Sequence, residues 1–127
     1  SLVELHRESG LAVAVTQIGT PLPLTLHVDQ AAYRIVQEAL TNASRHGNGQ
    51  AQLTIAFGAD RVTISVTNPT RPPSQHRNVR PGHGLPGATE RATQLGGSLR
   101  TDCREGRFRL IAELPYAVQS STSGADR

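Results

Sequence analysis

Two short runs in which apolar and polar residues alternate, Gln52–Phe57 and Val62–Val66, constrain this chain most. Alternation with a period of two puts every apolar side chain on one face of a strand. Only Gly58-Ala59-Asp60 and Arg61 separate the runs, so they read as a β-hairpin with one buried face. A second hairpin is expected from Ser98–Asp102 and Arg107–Leu114 around a Glu105-Gly106 turn. Leu11–Val15 reads as one more strand, closed by the break at Gly19, Pro21 and Pro23. Between these strands a helix is expected from an Asp29 N-cap to His46, where Gly47-Asn48-Gly49 stops it. At about 100° per residue, Ala32, Ile35, Val36, Ala39, Leu40 and Ala43 share one stripe of that helix. A second helix starts at Pro86 and ends at Gly96-Gly97. Two hairpins and two long helices pack most simply as an α+β two-layer sandwich, a mixed, largely antiparallel sheet covered on one face by helices.

Composition narrows the chemistry. The 127 residues suffice for one domain, and with only two Phe and two Tyr the core has to be aliphatic. All 13 basic residues are Arg, which removes mechanisms built on a P-loop or Schiff-base lysine. The net charge of +3 is spread over scattered arginines, with a loose cluster at Arg71, Arg77 and Arg80, so no direct nucleic-acid partner is expected. Cys103 stands alone, which rules out an internal disulfide framework and fits a reducing compartment. Ser1–Leu5 has no signal-peptide pattern, and no apolar run approaches the ~20 residues of a membrane span. A cytoplasmic location is expected, with the full-length protein open to membrane anchoring. Residues 11–116 read as the domain, 1–10 as the end of a linker and 117–127 as a disordered tail. The Pro-, Arg- and Asn-rich stretch from about 69 to 85 offers little to bury, and long structureless loops in compact domains are usually disordered or functional.

Within the first helix, Glu38, Asn42 and His46 recur every four residues along one edge of the apolar stripe. A carboxylate, an amide and an imidazole there can line a pocket over the sheet. They can equally form a solvated flank with Arg34, Gln37 and Arg45. Asn is a poor mid-helix residue, and its side-chain oxygen is the hard ligand that Mg²⁺ prefers. Further on, Gly82-His83-Gly84-Leu85-Pro86-Gly87 spells G-x-G-x-x-G, with Asp102 about 20 residues beyond Gly82. As a dinucleotide fingerprint the motif needs a preceding strand, and Arg77–Pro81 is not one. A parallel βαβ start is also not expected where hairpins dominate. The remaining readings are an ordinary loop into a helix and a phosphate cradle of backbone N–H groups at a helix start.

The stretch Tyr33–His46 resembles the N box of the histidine kinase ATPase family, in the branch that works with NarL-type response regulators. This family is grouped with the gyrase and MutL ATPases and has the Bergerat ATP-binding fold. Gly-His-Gly-Leu-x-Gly at 82–87 is similar to its second glycine box, which closes a mobile ATP lid, and Ala88–Gly97 to the helix that follows. The resemblance covers about Gly10 to Pro115. It implies ATP and Mg²⁺ as cofactors, with Asn42 holding the metal against the phosphates. Glu38 is the implied catalytic residue near the γ-phosphate, and Arg45 and His46 face the phosphates. Gly82, His83, Gly84, Leu85 and Gly87 are implied as lid contacts.

Two positions depart from the family's pattern. Asn68, in Val66-Thr67-Asn68-Pro69, stands where the first glycine box has the Asp that reads the adenine amino group, and that box's glycines are missing. An amide oxygen still accepts such a bond, without charge assistance; the bland reading is that Asn68-Pro69 opens a turn. Arg107 stands where a hydroxyl is usual. Cys103, His6, His27 and His76 are expected to be unremarkable, the histidines on the surface.

Together these features imply the ATP-binding catalytic domain of a two-component sensor histidine kinase. It would transfer the γ-phosphate to a His on a dimerisation domain of the same protein. Alone it would be monomeric and unable to phosphorylate itself, whereas the full-length kinase would be a homodimer serving a NarL-type response regulator. The alternative is a degenerate nucleotide-sensing or protein-docking module that keeps the fold with little kinase activity.

Overall fold

Period-two alternation becomes strand pairing in the computed structural model of the chain, which describes residues 2–8, 10–46, 48–70 and 86–116. In chain order the elements are α1 (Leu2–Glu8), β1 (Ala12–Ile18), α2 (Leu26–His46), β2 (Gln50–Phe57), β3 (Arg61–Pro69), α3 (Pro86–Gln94), β4 (Ser98–Arg104) and β5 (Arg107–Pro115). The strands form one sheet in the order β1-β2-β3-β5-β4. Both expected hairpins are present as antiparallel pairs, and β3 also runs antiparallel to β5. β1 lies parallel to β2, with Val13 opposite Ala51 and Val15 opposite Leu53. The expectation that no parallel strand–helix–strand unit exists is therefore corrected: β1, α2 and β2 form one. The glycine motif precedes α3, outside that unit, so the dinucleotide reading gains nothing from it.

The sheet's two central partners carry the core. Val62, Ile64 and Val66 of β3 face Leu114, Ala112 and Leu110 of β5 in register, and all six are buried. From above, α2 presses Val28, Ile35, Val36, Ala39, Leu40 and Ala43 onto this face. Each fully buried Leu or Ile contributes about 1.5–3 kcal/mol by leaving water. α3 adds Ala88 and Ala92, both with no exposed surface, and such small side chains let α2 and α3 approach closely. Phe108 is the one buried aromatic residue among those described, in keeping with an aliphatic core.

The helix ends explain where expectation and structure part. α2 begins three residues before Asp29, because Thr25 is its cap: the Val28 N–H donates to Thr25 Oγ1 at 3.4 Å. Asp29 instead sits in the first turn, where its charge complements the helix dipole. α3 ends in a Schellman turn, with Gly97 N–H donating to Ala92 O at 2.9 Å and Gly96 N–H to Thr93 O at 3.0 Å. Gly96 has φ +83°, and a Cβ on Gly97 would collide with the backbone carbonyl of Glu113.

Before the sheet, α1 packs on β1 and α2. Arg7 Nη2 donates to Val13 O at 2.7 Å, covering a carbonyl of the edge strand. His6, expected on the surface, is half-buried, with Nε2 3.5 Å from Thr41 Oγ1. Among the described residues no helix is long and apolar enough to cross a membrane.

Candidate functional site

Connectivity gathers the expected site residues at one end of the sheet. Gly49 joins the end of α2 to β2, and its carbonyl accepts from Ala12 N–H at 2.9 Å. The last turns of α2 therefore lie where β2 begins. That is also where β3 finishes, since Gln52 pairs with Thr67, and where β5 starts, since Asn68 pairs with Phe108. α3 leaves through Gly96-Gly97 toward Ser98, which pairs with Glu113 at the opposite end. Its first turn is thereby returned to the end that holds Asn68.

Asn68 is the most informative residue of this end. Burial along β3 alternates through Val62, Ile64 and Val66, and the next position on that face is Asn68, only 1% exposed. Its Nδ2 donates to Pro69 O at 3.0 Å. Its Oδ1 is buried and has no hydrogen-bond partner among the described residues. An unpaired buried acceptor costs about 1–3 kcal/mol, which a ligand bringing an N–H donor recovers. The turn-opener reading does not account for that orphaned oxygen. In the alternating pattern of β3 the sequence does carry the signal: an amide replaces the fourth apolar residue of a buried face.

On α2, Glu38 and Asn42 are both half-buried and stand one turn apart at the edge of the apolar stripe. Arg45 is exposed, and the side chain of His46 lies outside the described residues. Glu38 Oε2 accepts from Arg91 Nη1 of α3 at 2.9 Å. A Cβ on Gly87 would lie 3.0 Å from Arg91 Nη1 and 3.5 Å from Glu38 Oε2, so Glu38 and Gly87 do meet, with Arg91 between α3 and α2. Arg91 is not among the residues expected from sequence, although it lies one helical turn beyond Gly87. Gly82, His83, Gly84 and Leu85 lie outside the described residues, as does most of the 69–85 stretch. Arg107 and Cys103 are exposed at the β4–β5 hairpin, and Arg107 pairs with Pro69, next to Asn68, at this end of the sheet.

The donor set suits a nucleotide with a hard metal ion. Among the described residues no group of three or more His, Cys, Asp or Glu is assembled to hold a metal by itself. A single amide oxygen such as that of Asn42 is an adequate protein ligand for Mg²⁺, which takes most of its shell from phosphates and water. The Oδ1 of Asn68, unpaired among the described residues, can accept a hydrogen bond from an N–H group.

Comparison with known proteins adds to this geometry. The family described as histidine kinase-, DNA gyrase B- and HSP90-like ATPase matches residues 27–118. The chain is 30% identical over 122 residues to the sensor histidine kinase LnrJ of Bacillus subtilis, covering 93% of this chain and 29% of that protein. It is 33% identical over 86 residues to the histidine-protein kinase/phosphatase UhpB of Salmonella typhimurium, covering 65% of this chain and 16% of that protein. The chain thus spans less than a third of the curated relatives it matches. Among solved structures, the catalytic domain of histidine kinase ThkA in a nucleotide-free form superposes with a TM-score of 0.69 at 18% identity, covering 92% of this chain and 87% of that one. Acinetobacter baumannii histidine kinase AdeS superposes with a TM-score of 0.65 at 11% identity, covering 91% of this chain and 63% of that one. These two likenesses establish the fold.

Proposed function

From a chain that belongs to the histidine kinase-, DNA gyrase B- and HSP90-like ATPase family, we propose the ATP-binding catalytic domain of a two-component sensor kinase, which binds Mg-ATP and donates its γ-phosphate to a histidine on a dimerisation domain. The observation that carries this reading is the buried Oδ1 of Asn68, unpartnered among the described residues, at the end of the sheet toward which the last turns of α2 and the first turn of α3 run. Asn68 Oδ1 accepts a hydrogen bond from the exocyclic amino group of adenine. Asn42 offers its side-chain oxygen to the metal, and Arg45 and His46 lend positive charge to the phosphates. Glu38 orients groups at the γ-phosphate. Mg²⁺, when bound, neutralises charge on the phosphate oxygens. Such catalysis consists mainly of placement and electrostatic stabilisation. Gly82–Leu85 complete the reading as backbone donors to the phosphates. A NarL-type regulator as final acceptor, a cytoplasmic location, and residues 1–10 as the end of a linker belong to the same proposal.

Incubation with γ-labelled ATP tests it. The chain alone should take up no acid-labile label, whereas label should appear on the phosphoacceptor histidine once a dimerisation domain is joined to it. Near-stoichiometric label on His6 or His46 of the chain alone would contradict the division of labour.

A further inference from the structure

We propose that Arg91 is a positioning residue that holds the Glu38 carboxylate at the edge of the nucleotide site, an assignment that rests on the function proposed above. Arg91 Nη1 and Glu38 Oε2 are 2.9 Å apart, the distance of a charge-assisted hydrogen bond. The two side chains are 33% and 31% exposed, so the pair is shielded from much of the solvent that weakens surface ion pairs. Fifty-three positions of sequence separate them, and the contact exists only because α3 packs against α2. Ala88 and Ala92, fully buried, set that packing close. Gly87 lies beside the pair. Its φ is not in the left-handed region, so its backbone does not require glycine; a Cβ there would instead press on Arg91 Nη1 at 3.0 Å.

The pairing has a chemical consequence. Arg91 takes one carboxylate oxygen, Oε2, and leaves Oε1 without a hydrogen-bond partner among the described residues. A glutamate free to rotate about its side-chain bonds would spend most of its time out of line with a reacting phosphate. Held by a guanidinium from a second helix, it presents one oxygen in a fixed place, which matters most in the transition state. Arg91 acts through Glu38 and not on the nucleotide. Its loss should therefore lower the rate at saturating ATP and leave affinity nearly unchanged.

The test is phosphoryl transfer in the kinase chain that carries its phosphoacceptor domain, with ATP affinity and melting temperature measured on each variant. Arg91→Ala should slow transfer at saturating ATP by about tenfold or more while changing the dissociation constant by less than about twofold. Arg91→Lys, a point charge without the planar fork, should restore part of the rate. Glu38→Gln/Arg91→Ala should be no slower than Glu38→Gln alone, because both changes remove one function. Should Arg91→Ala not fold, Arg91→Gln keeps the length without the charge and should show the same rate loss. A folded Arg91 variant with a lowered melting temperature and a wild-type rate would overturn the assignment, as would losses that multiply in the double variant. Asn42→Ala separates this failure from a deeper one. If it removes the Mg²⁺ dependence of ATP binding while Arg91→Ala keeps the full rate, only the role of Arg91 falls. If it binds Mg-ATP normally, the site itself is misplaced and the role of Arg91 falls with it.

Discussion

The two ends of the sheet satisfy their polar groups in opposite ways. At the far end Tyr116 Oη donates to Gly58 O at 2.6 Å, and Gly58 N–H donates to Arg61 O at 2.9 Å. Arg61 bridges Asp60 and Glu113, each at 3.2 Å, and its guanidinium holds the Asp60 carboxyl below its ordinary pKa. The Schellman turn of α3 closes the same end. At the near end, among the described residues, Asn68 Oδ1 is buried without a partner and the Glu38–Arg91 pair leaves one carboxylate oxygen without a hydrogen bond. One end engages its polar groups in the fold, and the other leaves polar atoms unpaired among the described residues. Natural domains tolerate such local deficits where function requires them.

The contrast can be broken most severely in the structural layer that both ends share. Leu110→Ala removes a fully buried side chain of β5, opposite Val66 of β3, and should cost about 2–5 kcal/mol of stability, measured by urea unfolding. A loss below about 1 kcal/mol would mean that the core is not centred on β3 and β5.

Next in size is a change at the near end. Asn68→Asp should tighten ATP up to about tenfold, or 1.4 kcal/mol, through a charge-assisted bond to the adenine amino group. The same change places a carboxylate in a buried site and should lower the stability of the empty domain. GTP, with an oxygen in place of the amino group, should gain much less. Equal gains for ATP and GTP in parallel titrations would show that Asn68 does not read the base.

Tyr116→Phe makes the smallest expected change, at the far end. Losing the bond to Gly58 O should cost roughly 0.5–1.5 kcal/mol in thermal unfolding and leave ATP affinity untouched. An affinity change as large as that of Asn68→Asp would erase the distinction between the ends.

Local patterns made much of this legible in the sequence. Alternation located both hairpins, helical periodicity located α2, and Gly96-Gly97 marked the end of α3. Long-range pairing was not legible: the parallel partnership of β1 with β2 spans an entire helix and leaves no local signature. Asp29 and Thr25 are both good caps, and only the bond from Val28 N–H identifies Thr25 as the one in use. Glu38, Asn42 and Gly87 were visible through spacing and motif. Arg91 was not, because its role depends on how closely two alanines let α3 approach α2. The burial of Asn68 was implicit in the alternation of β3, but its missing partner is a property of the folded state alone.

The central claim, that the unsatisfied end of the sheet is a Mg-ATP site, is tested most directly by calorimetric titration of the wild-type chain and Asn42→Ala with ATP, with and without Mg²⁺. The wild-type chain should bind ATP more tightly when Mg²⁺ is present, and Asn42→Ala, still folded, should lose that difference. Normal Mg²⁺-dependent binding by folded Asn42→Ala, or no ATP binding by the wild-type chain, would contradict the claim.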